Sequence, residues 1–151
     1  MCSIPLQVAV VDDEASVRKA LQRLLRSAGM EVETFPSGEE FLDAIPSIHP
    51  DCFVLDLHMP GVNGFDVLAR LSQSPIRHSA IVITGHDTPD ARERTFASGG
   101  FAYLVKPIDD HDLLGAIADA TTHKRLTQPR YGQVGGDRDP RSADCLVCRN
   151  F

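Results

Sequence analysis

Long apolar runs are absent from this chain. Its uninterrupted apolar stretches are only a handful of residues long, far short of the ~20 that a membrane span requires. An excess of positive charge is absent too. Fifteen Lys and Arg face 21 Asp and Glu, for a formal net charge of −6. That balance argues against a nucleic-acid surface over the whole chain, which needs basic stripes, and it is mild enough to be a solubility effect. Cysteine is scarce. Four in 151 residues do not make a disulfide framework and suit a reducing compartment. The opening Met1-Cys2-Ser3-Ile4-Pro5 has neither the basic region nor the apolar stretch of a signal peptide, so cytoplasm is the expected location. No repeat of solenoid length occurs. The length suits one domain, with little left for a second.

What the chain does contain is a regular alternation of strand-length apolar runs and helix-period segments. Leu6 to Val11 is the first run. A helix is expected from Glu14 to Ala28, where Val17, Ala20, Leu21, Leu24, Leu25 and Ala28 make one apolar stripe. Gly29 is its natural stop, since glycine tolerates left-handed dihedrals. Glu31 to Phe35 alternates as a strand. Ser37 and Glu40 are spaced as a capping box for a short helix through Phe41, Leu42 and Ile45, ended by Pro46. Cys52 to Asp56 is the third strand. A helix from about Gly64 to Ser72 follows, with Phe65, Leu68 and Leu71 inward. Ala80 to Thr84 is the fourth strand. Thr88 as N-cap and Pro89 at N1 open the next helix, which should end at Gly99-Gly100. Phe101 to Lys106 is the fifth strand. A last helix starts at Asp109 or Asp110, with Leu113, Leu114, Ile117 and Ala120 buried. Five such units in about 120 residues imply an α/β fold, a parallel sheet with helices on both faces.

The strand ends carry the chemistry. Asp12 and Asp13 end the first run, Asp56 the third, Thr84 the fourth and Lys106 the fifth. In a parallel sheet these ends fall on one edge, where sites form. Three carboxylates, a hydroxyl and an ammonium would share a pocket. Each residue alone has a plainer reading: an Asp after a strand as a helix N-cap, Thr84 as a strand former, Lys106 as a solvated charge, Tyr103 as a packing residue. Their joint order argues against those readings. Asp109, Asp110 and Asp112 read as first-turn charges favoured by the helix dipole.

Asp12-Asp13, the turn Asp56-Leu57-His58-Met59-Pro60-Gly61, Thr84, and Tyr103-Leu104-Val105-Lys106-Pro107 together resemble the response-regulator receiver domain of two-component signalling. The resemblance spans roughly Leu6 to His123. It implies a doubly wound sheet in the flavodoxin-like order 2-1-3-4-5. It makes Asp56 the acceptor of a phosphoryl group from a partner's histidine. It implies Mg²⁺ held by Asp12, Asp13, Asp56 and the backbone carbonyl of His58, a hard cation with oxygen ligands that neutralises phosphoryl charge. Lys106 would pair with the acyl phosphate as a point charge. Thr84 would hydrogen-bond a phosphoryl oxygen, and Tyr103 would change rotamer with it, coupling the site to the surface of the fourth helix, fifth strand and fifth helix. The Lys106-Pro107 bond is expected to be cis, which an X–Pro bond permits at modest cost.

His58 and His86 each lie two residues beyond a site residue. In receivers such positions tend to flank the path of the attacking water, so either could tune the lifetime of phospho-Asp56; the competing reading is two exposed loop histidines, and with no Cys or carboxylate partner at suitable sequence spacing neither is expected to be a zinc ligand. Cys52 reads as a small core residue. Cys145-Leu146-Val147-Cys148 is a CxxC without a second ligand pair or a redox context. From about Leu126 the chain is rich in Gly, Pro and charge with no apolar period, so residues 124–151 are expected to be a disordered or loosely docked tail behind a receiver domain of residues 1–123. That tail is too short for a helix-turn-helix output domain.

The reading is therefore a single-domain response regulator in a phosphorelay, phosphorylated by a sensor histidine kinase or histidine phosphotransfer protein. The first helix and the turn Pro107-Ile108 would meet the kinase. The domain would signal through contact with a downstream protein, with no direct DNA or membrane contact, and it allows a phosphorylation-dependent homodimer. It would catalyse only its own phosphorylation and slow dephosphorylation rather than act as an enzyme on other substrates. The competing readings are an Asp-nucleophile, Mg²⁺-dependent phosphohydrolase, a phosphorylation-independent binding module, and a redox or metal switch through Cys145 and Cys148.

Overall fold

Alternation of strand and helix along the sequence becomes two helical layers around one sheet. The computed structural model describes residues 5–74 and 79–127, the last five as backbone only. In chain order these form β1 (Gln7–Val11), α1 (Ala15–Ser27), β2 (Glu31–Phe35), α2 (Gly38–Ala44), β3 (Cys52–Asp56), α3 (Gly64–Ser72), β4 (Ala80–Thr84), α4 (Pro89–Ala97), β5 (Ala102–Val105) and α5 (Asp110–Thr127). The five strands are all parallel in the order β2-β1-β3-β4-β5. The expected order and class are those observed. The tail and its CxxC lie outside the described residues, although α5 itself runs to Thr127, past the boundary drawn at residue 123.

Alternate residues of each central strand point to opposite layers. Val8, Val10, Cys52, Val54, Ile81 and Ile83 pack with Leu21 and Leu25 of α1 and with Leu113, Ile117 and Ala120 of α5. Ala9, Val11, Phe53, Leu55, Val82 and Tyr103 pack with Phe41, Val67, Leu68 and Leu71 of α2 and α3 and with Ala91 of α4. Strands β3 and β4 are buried along their whole length, which is why they read as unbroken apolar runs rather than alternating ones.

The helix ends follow local chemistry. Ser37 and Thr88 cap α2 and α4, accepting from the N–H groups of Glu40 and Ala91. Both α1 and α4 stop in a Schellman motif. Gly29, at φ 88°, donates to Arg26 O while Met30 N–H reaches Leu25 O. In α4, Gly99 at φ 98° donates to Phe96 O while Gly100 N–H reaches Thr95 O.

Three details differ from expectation. On α3, Phe65 is only half-buried and Val67 takes the fully buried place, because the inward stripe runs through Gly64, Val67, Leu68 and Leu71; the Arg94 guanidinium lies 3.9 Å from the Phe65 ring. On α1, Ala20 and Ala28 of the expected stripe are exposed, since the sheet covers only the line through Leu21 and Leu25. Strand β5 ends at Val105, leaving Lys106 just beyond it.

Candidate functional site

Ladder register assembles the site. Val11 pairs with Leu55, Asp56 with Ile83, and Thr84 with Val105. The C-terminal ends of β1, β3, β4 and β5 are therefore nearly flush, and the residues at or just past them face one pocket of ≈ 550 Å³. Its lining includes Asp13, Asp56, His58, His86 and Lys106. A second depression, of ≈ 210 Å³, lies at the opposite edge of the sheet around Gln7, Glu31 and Glu33. It contains no cation and none of the strand-end residues.

Asp12 and Asp56 are buried, whereas Asp13 is exposed. One oxygen from each of the three carboxylates can lie within 4.8 Å of the others. Asp12 is held from several directions: its N–H donates to Phe35 O, its Oδ1 accepts from Glu14 N–H at 2.9 Å, and its carbonyl accepts from Arg18 Nη1 at 2.7 Å. Lys106 Nζ donates to Asp12 Oδ2 at 3.1 Å and stands 3.6 Å from Asp56 Oδ1 and 3.7 Å from Glu14 Oε1. The bond between Lys106 and Pro107 is cis, as expected.

Burial pushes the Asp56 carboxyl up to about 6, helped by the neighbouring Asp12 and, less, Asp13; Lys106 and the backbone N–H of His58 pull the other way. For Lys106, burial works against the ammonium. The hydrogen bond to Asp12 and the charges of Asp56, Asp12 and Glu14 outweigh it, so its pKa lies above the ordinary value. Asp56 is thus partly stripped of water.

Turn 57–63 is shaped by Gly64. A Cβ there would stand 2.8 Å from Asp56 O and 2.8 Å from Leu57 Cα. Only glycine lets α3 begin this close to the end of β3. Asn63 caps α3 with a full capping box, each of Asn63 and Asp66 bonding the other's backbone N–H. Leu57 and Met59 are buried, so His58 between them points outward.

Thr84 is fully buried. Its Oγ1 accepts from His86 N–H at 3.0 Å and donates to His86 O at 3.3 Å, so the hydroxyl is engaged with the β4–α4 loop. Tyr103 is buried on β5 beneath Arg92, whose guanidinium lies 4.6 Å from the ring centroid. Its Oη has no hydrogen-bond partner among the described residues. Burial raises the phenol pKa, as do the side-chain approach of Asp87 and its charge.

The structure thus brings together Asp12, Asp13, Asp56 and Lys106, with Thr84 one ladder step away and Tyr103 behind it. Glu14 and Arg18 were not legible beforehand. Arg18 carried a weak signal, one helical turn beyond Glu14 and so on the same face of α1.

A family model described as a response regulator receiver domain matches residues 8–118. The chain is 36% identical over 130 residues to the DNA-binding transcriptional regulator NtrC of Escherichia coli (strain K12), covering 85% of this chain and 28% of that protein. It is 36% identical over 138 residues to the transcriptional regulatory protein FixJ of Azorhizobium caulinodans, covering 91% of this chain and 62% of that protein. The chain therefore spans only part of the length of these relatives. A crystal structure of a response regulator receiver protein from Burkholderia phymatum superposes with a TM-score of 0.69 at 44% identity, over 78% of this chain and 95% of that one.

Proposed function

The chain belongs to the response regulator receiver family, and on that premise we propose that Asp56 is its phosphoacceptor, loaded by a sensor histidine kinase or a histidine phosphotransfer protein. The observation that carries this reading is the placement of one buried, partly desolvated carboxylate within 4.8 Å of two others and 3.6 Å from an ammonium.

An Asp56 carboxylate oxygen attacks phosphorus, the phosphorus–nitrogen bond of the donor phosphohistidine breaks, and the electron pair leaves with the imidazole nitrogen. The product is an acyl phosphate on Asp56. Lys106, already beside Asp56 and Asp12, pairs with a phosphoryl oxygen. Thr84 exchanges its bond to His86 O for one to the phosphoryl group. Tyr103, buried on β5, is the residue whose packing changes as Thr84 moves, and it passes the change to α4, β5 and α5.

The carboxylate donor set suits a hard divalent cation; Asp12, Asp13 and Asp56, with the backbone carbonyl of His58 as a further oxygen ligand, would hold Mg²⁺. Bound there, Mg²⁺ supplies positive charge to the phosphoryl oxygens. Asp12 would need to share its Lys106 contact on binding.

The receiver would comprise residues 1–123 with residues 124–151 as an appendage, act in the cytoplasm, and signal by contact with a downstream protein or a second copy. No described helix is long and apolar enough to cross a membrane.

Incubation with acetyl phosphate and Mg²⁺, followed by intact mass, tests the assignment. One added phosphoryl group in the wild type and none in Asp56→Asn supports it. An equal gain in the variant sinks it. Rapid release of phosphate from simple monoesters would favour the phosphohydrolase instead.

A further inference from the structure

The pocket mouth carries two imidazoles that the phosphorylation chemistry does not use. His58 sits on the β3–α3 loop and His86 on the β4–α4 loop, both exposed and both lining the pocket. Their ring centroids are 5.8 Å apart and their planes meet at 88°. Among the described residues, neither imidazole nitrogen has a hydrogen-bond or ion-pair partner.

We propose that His58 and His86 together bind a borderline divalent transition-metal ion of the Zn²⁺ class across the mouth of the Asp56 pocket, at a site separate from the carboxylate cluster. Imidazole nitrogens bind Zn²⁺ at about 2.0–2.1 Å, so two rings sharing one ion have centroids about 5.3–6.5 Å apart for angles from tetrahedral to linear. The observed 5.8 Å falls inside that window.

The surroundings favour a cation. Asp12, Glu14 and Asp56 lie within 4 Å of Lys106, with Asp13 beside Asp12 and Asp56, and clustered charge of one sign concentrates counter-ions. The two imidazoles are the protein ligands and water fills the remaining positions, because Asp13 belongs to the carboxylate cluster and Glu14 is paired with Lys106. The two sites discriminate by softness. Oxygen-only Asp12, Asp13 and Asp56 suit Mg²⁺, whereas nitrogen ligands suit Zn²⁺ far better than Mg²⁺. An ion held by both rings would tie together the two loops that close over Asp56.

The test is a Zn²⁺ titration of the full chain carrying Cys145→Ser and Cys148→Ser, which removes the competing thiols, in excess Mg²⁺ to fill the carboxylate cluster. Imidazole ¹⁵N resonances are the readout. The expected result is that the His58 and His86 signals shift together with one common midpoint. His58→Ala should weaken the His86 response by at least about tenfold, and His86→Ala the His58 response likewise, since each removes one of two protein bonds. Unchanged backbone amide spectra establish that both variants are folded. The proposal is overturned if neither signal moves, if the two have different midpoints, or if one response survives deletion of the other imidazole.

Discussion

Lys106 Nζ is closer to Asp12 than to Asp56, 3.1 Å against 3.6 Å. The ammonium is thus anchored on a carboxylate buried to 0% exposure and reaches toward Asp56 from that anchor. This arrangement lets one cation offset part of the repulsion among three acids without closing the pocket, and several expectations follow from the balance.

The charge on Asp56 costs stability. Its folded pKa of about 6 lies above the ordinary carboxylate value of 3.8. A raised acid pKa means the folded state binds the proton more tightly. The destabilisation is absent below the unfolded pKa, grows between the two values, and is complete above about pH 6. Asp56→Asn should therefore stabilise the protein in chelator at pH 8 by about 2–3 kcal/mol, and the gain should vanish near pH 3. Denaturant melts at both pH values check this; an equal gain at both would refute the electrostatic cause.

Removing the Lys106 charge leaves Asp12, Asp13 and Asp56 without their shared cation. Lys106→Met keeps the stem and deletes the ammonium. The Asp56 carboxyl pKa, followed by ¹³C resonance, should then rise beyond about 6. Uptake of phosphate from acetyl phosphate should slow by roughly tenfold or more. An unmoved Asp56 titration would show that the ammonium does not reach it in solution.

Gly64→Ala should disturb the turn that presents Asp56. Its Cβ would meet backbone atoms at 2.8 Å, and backbone cannot swing aside as a side chain can. A loss of about 1–3 kcal/mol is expected, together with slower phosphorylation. Gly115, with open space at its Cβ position, is the control, and Gly115→Ala in the exposed middle of α5 should gain up to about 1 kcal/mol. Comparable behaviour of the two variants in thermal melts would contradict the close approach.

Tyr103 carries a buried hydroxyl with no partner among the described residues. Tyr103→Phe should change stability by no more than about 1 kcal/mol, because the hydroxyl makes no close hydrogen bond while the ring and its Arg92 contact remain. A clear loss would mean that the hydroxyl is hydrogen-bonded in solution.

His58 and His86 flank the mouth through which water must reach phospho-Asp56. Replacing each by Ala should change the rate of phosphoryl loss, measured by phosphate release after removal of the donor. Unchanged rates in both single variants would leave these residues with no part in the acyl phosphate's lifetime.

The order of elements was legible in the sequence because its causes are local. Apolar runs, the caps Ser37 and Thr88, and the stops at Gly29 and Gly99 act within a few residues of themselves. Asp12, Asp13, Asp56, Thr84 and Lys106 were legible as strand-end groups, because parallel strands send their C-terminal ends to one edge whatever lies between. Tertiary structure alone decided the rest. Asp12 is buried and Asp13 exposed, although they are adjacent and chemically identical. Which face of α3 turns inward, with Val67 buried and Phe65 left half-covered beside Arg94, is set by docking on the sheet. Glu14 and Arg18 join the site from α1, and His58 meets His86 across two loops. Each of these outcomes depends on distances between residues far apart in the chain or on which face a neighbouring element covers. Local sequence pattern encodes spacing along an element, whereas partner choice is settled only when the layers dock.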